Sequence, residues 1–316
     1  MRLIKRFSLI FFSAVLAISV SYATEYQSQV IATISWGLGS EEIGLQQGQE
    51  IETVGPTTFA LDNLGNIYLY DFVNKQIKKY DASGKWIANI GTGLVCSSFC
   101  IDDAGNVYLL DVDSHIVRVY SAKGELNQEI KIDDSIKLIE GYAQKIYIDA
   151  AQNLVVNRVN QQVHPLATIS TTGLKSLAPI DQVKGWKNGY LGKADKYQYW
   201  MVWENKHRAD IIISDGALNF AWGSISIQTK DELGAVLFLG QDTAGNIYAE
   251  IERTDAKDIL HLEVWKYNSA RKLVNTIEIP NDYFSTVYKK LEVDDAGNIY
   301  QMQTKPEGVR VIKYSI

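Results

Sequence analysis

The stretch LDNLGNIYLYD, Leu61 to Asp71, decides how the chain is read. Its core, Gly65-Asn66-Ile67-Tyr68, returns as Gly105-Asn106-Val107-Tyr108, Gly245-Asn246-Ile247-Tyr248 and Gly297-Asn298-Ile299-Tyr300. An aspartate stands three residues ahead of each glycine: Asp62, Asp102, Asp242 and Asp294. Aspartate accepts backbone N–H bonds across a turn, and glycine takes the positive φ that a tight hairpin needs. The paired acids Asp102-Asp103 and Asp294-Asp295 raise the question of calcium, which wants six to eight oxygens in a loop such as DxDxDG. That loop is absent, so the phrase reads as a turn followed by a strand.

Around each turn lies the same order of segments. In the first copy it is TTFALD, the turn NLG, NIYLYD, the loop FVNK, QIKKYD, the turn ASG and KWIANIG. The second copy follows at a shift of 40 residues, with Tyr80 and Tyr120, and Asp71 and Asp111, in matching columns. Two worn copies fill the gap from Gly105 to Gly245. IYIDAAQNLVVNR puts Gln152 in the glycine column, and KADKYQYWMVW puts Lys196 there with Tyr199 in the tyrosine column. The anchors 65, 105, 152, 196, 245 and 297 are spaced on average (297 − 65)/5, about 46 residues. That spacing suits propeller blades of four strands.

Alternating runs such as Lys75-Gln76-Ile77-Lys78-Lys79-Tyr80 and the scarcity of 3.6-residue periodicity point to an all-β protein. The last unit reaches Ile316 with three strands, while Tyr26–Gly37, YQSQVIATISWG, has the form of a fourth strand without a unit. The expectation is a six-bladed β-propeller of four-stranded blades, closed by the N-terminal strand completing the last blade.

VDDAGNIY and DFVNKQIKKYDASGKWIANIG resemble the NHL-type repeat of six-bladed β-propellers over residues 26–316. The match is good in units one, two, five and six and weak in three and four. Where that family often carries arginine before the strand-three isoleucine, this chain has Gln76 and Ile116. The RNA binding attributed to that arginine in some members is therefore not carried over.

Residues 1–23 read as a secretory signal peptide cut between Ala23 and Thr24. Arg2, Lys5 and Arg6 precede 14 uncharged residues, Phe7 to Val20, and then Ser21-Tyr22-Ala23. Fourteen residues fall short of the ~20 that span a bilayer. The expectation is an extracytoplasmic protein, periplasmic or secreted, with one domain at 24–316 and no membrane span after cleavage. Losing three positive charges takes the formal net charge from −6 to −9. A chain so acidic, without a Lys/Arg run, is a poor partner for nucleic acid. Cys96 and Cys100 are the only cysteines. An extended chain holds their Cα atoms roughly 13 Å apart, beyond disulfide reach, so they pair only if Ser97-Ser98 turn sharply.

The turns from first to second and from third to fourth strand of each unit are short and share one face. The longer connections share the other, where function on a rigid scaffold usually sits. Four features fall there. The segment Gly37–Pro56 carries Glu41, Glu42, Glu50 and Glu52 and reads as an acidic lid. The worn units hold Trp186, Tyr190, Tyr197, Tyr199, Trp200 and Trp203, whose rings suit a sugar or a protein partner, or else pack between blades. His115, His164, His207 and His261 each follow a second strand and could converge on zinc, as in peptide-amidating lyases built on a similar propeller, or lie packed and dispersed. Asp71, Asp111 and Asn74 end second strands and could ligate a metal, calcium or zinc, or orient a substrate. Propeller lactonases of the gluconolactonase type place acidic ligands near the channel, but their glutamate before Gly-Pro is Val54 here. GxSxG, HExxH and P-loop motifs are absent.

Two expectations follow. One is an exported propeller binding a protein, peptide or glycan through Trp186, Tyr190, Trp200, Trp203, Glu41 and Glu42. The other is a metal-dependent lactonase, hydrolase or lyase with its site at the central channel.

Overall fold

The computed structural model describes residues 26–132, 145–157, 162–170, 173–175, 187–215 and 221–315. The described chain begins with β1 (Gln27–Ser35) and a small hairpin, β2 (Gln46–Gly48) and β3 (Ile51–Val54). Blade one is β4 (Phe59–Leu61), β5 (Ile67–Asp71), β6 (Gln76–Tyr80) and β7 (Trp86–Ile90). Blade two is β8 (Ser98–Ile101), β9 (Val107–Asp111), β10 (Ile116–Tyr120) and β11 (Leu126–Lys131). In blade three, β12 (Lys145–Ile148), β13 (Asn153–Asn157), β14 (Gln162–Ser170) and β15 (Gly173–Lys175) are joined by β16 (Lys187–Asn188) on β14. Blade four is β17 (Tyr190–Leu191), β18 (Gln198–Asn205), β19 (Arg208–Ser214) and β20 (Ala221–Gln228). Blade five is β21 (Glu232–Gln241), β22 (Ile247–Thr254), β23 (Leu260–Tyr267) and β24 (Leu273–Ile279). Blade six contains β25 (Leu291–Val293), β26 (Ile299–Lys305) and β27 (Gly308–Ser315).

The fourth strand of blade six is β1. It runs antiparallel to β27 from Gln27 opposite Ser315 to Ser35 opposite Gly308. The two ends of the chain thus share one blade, and the ring closes as expected. Closure removes the open edge that a row of six separate sheets would leave. No described helix is long and apolar enough to cross a membrane.

All six anchors adopt positive φ. Gly65, Gly105, Gly245 and Gly297 stand at 79°, 80°, 82° and 82°, and the worn Gln152 and Lys196 at 60° and 63°. The turn geometry therefore persists where glycine has been lost. An aspartate three residues ahead holds five of the six turns, the fourth having Lys193 in that column. Asp102 accepts Ala104 N and Asn106 N on Oδ1, and Asn106 Nδ2 and the Tyr108 hydroxyl on Oδ2. Asp62 and Asp294 repeat the full set, and Asp242 keeps the bonds to its Asn and Tyr. Asp149 holds Ala151 N, Asn153 N and Asn153 Nδ2 in the worn third copy. The carboxylates are filled by donors within six residues, which is turn chemistry.

The tyrosine of each GNIY turn fills the seam to the next blade. Tyr68 lies in the cluster between blades one and two, Tyr108 between two and three, Tyr248 between five and six, and Tyr300 between six and one. The Tyr248 hydroxyl sits so close beneath the next turn that a Cβ on Gly297 would lie 2.3 Å from it. Because each blade packs on both faces, an inner strand can be buried along its whole length. Every residue of β5 and β9 is buried. Even Lys78, within an alternating run, is fully shielded.

Cys96 and Cys100 are free thiols, so the sharp turn needed for pairing does not form. Cys96 packs into the seam between blades one and two, and Cys100 into that between two and three.

Candidate functional site

The innermost strands β4, β8, β12, β17, β21 and β25 surround a cavity of about 990 Å³ on the ring axis. All six blades reach it, for example through Thr58, Phe99, Tyr147, Tyr190, Phe238 and Leu291. The volume lies at the upper end of ordinary ligand pockets.

One side of the wall is aromatic. Tyr147 on β12 meets Tyr190 on β17 with centroids 5.2 Å apart, and Tyr190 meets Phe238 on β21 at 5.8 Å. Phe238 then stacks on Tyr199 at 4.8 Å and 5°. Rings from three blades thus make one surface at the separations that aromatic pairs favour. Asn157 orients part of it. Its Oδ1 accepts Lys145 N at 2.9 Å, and its Nδ2 donates to the Tyr190 hydroxyl.

Charged side chains stand among the aliphatic residues of the remaining wall. Lys290 pairs with Glu252 at 2.6 Å, and Lys289 with Glu292 at 3.2 Å. Lys193 at the short-turn end pairs with Asp295. Two other lining groups differ. Glu250 on β22 is only 6% exposed, and neither it nor the Lys145 ammonium has a hydrogen-bond or ion-pair partner among the described residues. Burial pushes the Glu250 carboxyl up to about 7, with Lys145 and Lys290 opposing and Glu252 adding to the rise. Burial likewise pulls the Lys145 ammonium down, helped by the Lys289 charge and opposed by Glu250. Perturbed ionisable groups in a shared cavity are the ordinary marks of a site.

Of the residues singled out from the sequence, Tyr190 reaches this cavity. Trp200 and Trp203 lie on β18 outside it, half-buried and 46% exposed respectively. Trp186 lies outside the described residues, as do Ala23 and Thr24. Glu41 is exposed, and its backbone oxygen accepts the Tyr80 hydroxyl at 3.1 Å. Glu42 is half-buried and accepts Gly39 N at 2.8 Å. Their segment is anchored: Ile43 is fully buried, Lys78 Nζ donates to the oxygens of Gly39 and Ser40, and Gly44 N donates to Asp71. Neither glutamate lines the cavity.

The histidines are dispersed. His115 occupies the β9–β10 turn at φ 52°, and His207 the β18–β19 turn with Nδ1 2.9 Å from Asp231 O. His261 on β23 lies between Asp255 and Glu278, at 3.3 and 3.2 Å, and both carboxylates raise its pKa. His164 belongs to β14, and its side chain lies outside the described part. Among the described residues no group of three or more His, Cys, Asp or Glu is placed to hold a metal ion.

Asp71 and Asp111 serve their own loops. Asp71 accepts Asn74 N and Nδ2, while Asp111 accepts Ser114 N and pairs with Arg118 at 3.0 Å. The Arg118 charge and the Ser114 bonds outweigh burial and hold the Asp111 carboxyl below the usual range.

Sequence reasoning missed Lys145, Glu250 and Phe238, although the repeat contained a signal. Five residues past each anchor stand Tyr70, Leu110, Asn157, Met201, Glu250 and Met302. A glutamate in that mostly apolar column is out of place. Seven residues before the anchors stand Thr58, Ser98, Lys145, Gly189, Phe238 and Lys290, a column that lines the channel at every position but Gly189.

Fold and site together define a six-bladed β-propeller with an ionisable, aromatic-lined central cavity. No protein-family model matches the chain, and no curated protein matches it. Among solved structures it is similar to a member of the DUF4221 family from Bacteroides vulgatus, at 11% identity over 93% of this chain and 99% of that one, TM-score 0.49. It is also similar to the virginiamycin B lyase of Staphylococcus aureus, at 11% identity over 92% and 100% of the two chains, TM-score 0.45. A luciferin-regenerating enzyme shares 13% identity over 83% and 91%, TM-score 0.46. At such identities the likeness extends to the fold alone.

Proposed function

We propose that the chain is an exported binding propeller, of the NHL-like kind its repeats resemble, that takes a peptide or glycan ligand into the central cavity from the face with the longer loops. Export rests on the basic, apolar and small-residue pattern of residues 1–23. The observation that carries the binding reading is the single wall built by Tyr147, Tyr190 and Phe238 beside two ionisable groups that no described neighbour satisfies. A folded chain tolerates buried ionisable groups without partners when a ligand or water completes them. Thermal-shift screening of residues 24–316 against peptide and oligosaccharide panels tests it. A channel ligand loses affinity in Phe238→Ala while Trp203→Ala binds as wild type. The opposite pattern moves the site to the outer face of β18 and sinks the channel reading.

The second reading is a lactonase, hydrolase or lyase working in the same cavity. It draws on Glu250, whose carboxyl near 7 could give or take a proton at neutral pH. In its metal-dependent form, a calcium or zinc ion would be bound. Elemental analysis of protein purified without chelator discriminates: a stoichiometric divalent metal favours this reading, and metal-free protein showing no turnover on lactone and ester panels removes it.

A further inference from the structure

Among the described residues lining the cavity, two charged groups stand apart from the rest. Lys289, Lys290 and Lys193 each have a carboxylate partner, and the Asp149 carboxylate is occupied by its turn. Asp113 at the rim is exposed to solvent. Lys145 and Glu250 approach from blades three and five, line one cavity, and do not form an ion pair with each other. They differ from the Lys289–Glu292 pair in that no ion pair joins them.

Two unpartnered groups of opposite sign in one cavity narrow the ligand. An acidic sugar or a phosphate would satisfy Lys145 but set like charge toward Glu250. A polyamine would satisfy Glu250 and be repelled by Lys145 and Lys289. A neutral sugar could hydrogen-bond to both groups yet leave two poorly solvated charges without counterions. A small molecule bearing both signs completes the two together, and an apolar substituent finds the rings of Tyr147, Tyr190 and Phe238 alongside.

Resting on the channel reading above, we infer that the ligand is a zwitterion, an amino acid or short peptide, whose carboxylate meets Lys145, whose ammonium meets Glu250, and whose apolar side chain lies on the Tyr147–Tyr190–Phe238 wall. Charge-assisted hydrogen bonds of this kind are the strong ones and set orientation as well as affinity.

Isothermal titration of residues 24–316 with phenylalanine, Phe-Phe, N-acetylphenylalanine and phenylalaninamide tests the inference. Each blocked compound is expected to bind at least about tenfold more weakly than the zwitterion, the size of one lost charged hydrogen bond. Lys145→Met should abolish the preference for a free carboxylate, and Glu250→Gln the preference for a free ammonium. Both variants are near-isosteric, and an unchanged far-UV spectrum and cooperative melt confirm their folding. Tighter binding of phenylalanine than of Phe-Phe identifies a free amino acid as the source, and the reverse a peptide. Blocked compounds binding as tightly as zwitterions overturn the inference, as does failure of every common amino acid and dipeptide to bind. If a neutral oligosaccharide instead binds in a Phe238-dependent way, the zwitterion is wrong while the channel reading stands.

Discussion

Lys78 Nζ lies 3.9 Å from Asp71 Oδ2, with both side chains wholly shielded from water. The pair fastens the acidic segment after β1 to blade one: Lys78 donates to Gly39 O at 2.8 Å and Ser40 O at 3.0 Å, and Asp71 accepts Gly44 N at 3.2 Å. Burial pulls the lysine pKa down, and the charges of Asp71 and Glu42 oppose that pull. Removing one partner of a buried pair leaves the other charge stranded, which costs about 3 kcal/mol. Lys78→Met is therefore expected to lower stability by about that amount in urea unfolding. Limited proteolysis should cut earlier between Gly37 and Gly44. An unchanged cleavage pattern would show that the segment is held by other contacts.

Glu250 sets a dependence of stability on pH. Its carboxyl titrates at about 7 in the folded chain against an ordinary 4.5, through burial first, in the company of Lys145, Glu252, Lys290 and Tyr283. Between those values the folded chain keeps a proton that the unfolded chain releases. Stability attributable to this group falls as pH rises through the window and is lowest above pH 7. The displacement corresponds to about 3 kcal/mol. Glu250→Gln should be more stable than wild type at pH 8 by up to about 3 kcal/mol, and equal to it near pH 4.5. Equal unfolding midpoints at pH 8 would place the carboxyl in a better solvated setting.

The worn third turn offers the reverse of a damaging mutation. Gln152 holds φ 60°, a conformation that costs an L-residue about 1–2 kcal/mol, while glycine forfeits about 0.5–1 kcal/mol through the unfolded chain. Gln152→Gly should therefore stabilise by about 0.5–1 kcal/mol, read as a higher urea midpoint at unchanged slope. Gly297→Ala should do the opposite, because its Cβ would press on the Tyr248 hydroxyl.

The thiols provide a compact check on packing. Cys96 and Cys100 sit in different seams, and burial pushes both well above the usual thiol range. Protein prepared without reductant should yield two thiols in denaturant, label slowly when folded, and migrate alike with and without reductant. A single disulfide in the intact mass would contradict the arrangement.

Much of the fold was legible because its signals are local. Asp62 reaches Asn66 and Tyr68 within six residues, so one phrase carries a turn, its positive φ and the strand that follows. Repetition then turned that phrase into a measure of blade spacing, and even Gln152 and Lys196 keep the turn conformation at the positions it marks. Tyr190 was noticed as one of an aromatic group, although Trp200 and Trp203 from the same group stay outside the cavity. Composition could not separate them, since what differs is that Tyr190 lies on the innermost strand β17 and the two tryptophans on β18.

By itself, the order of residues determined the number of blades, the chemistry of their turns and the strand that closes the ring. Those features depend on contacts between near neighbours or on a regular interval. Only the tertiary structure decided that Lys145 and Glu250 share a cavity, that Lys78 is buried against Asp71, and that the described histidines form no metal-holding group. The first depends on ring closure, which brings single residues together from blades three and five, and the second on how the segment after β1 packs onto blade one. The surrounding burial then sets their charge, and no local pattern encodes it.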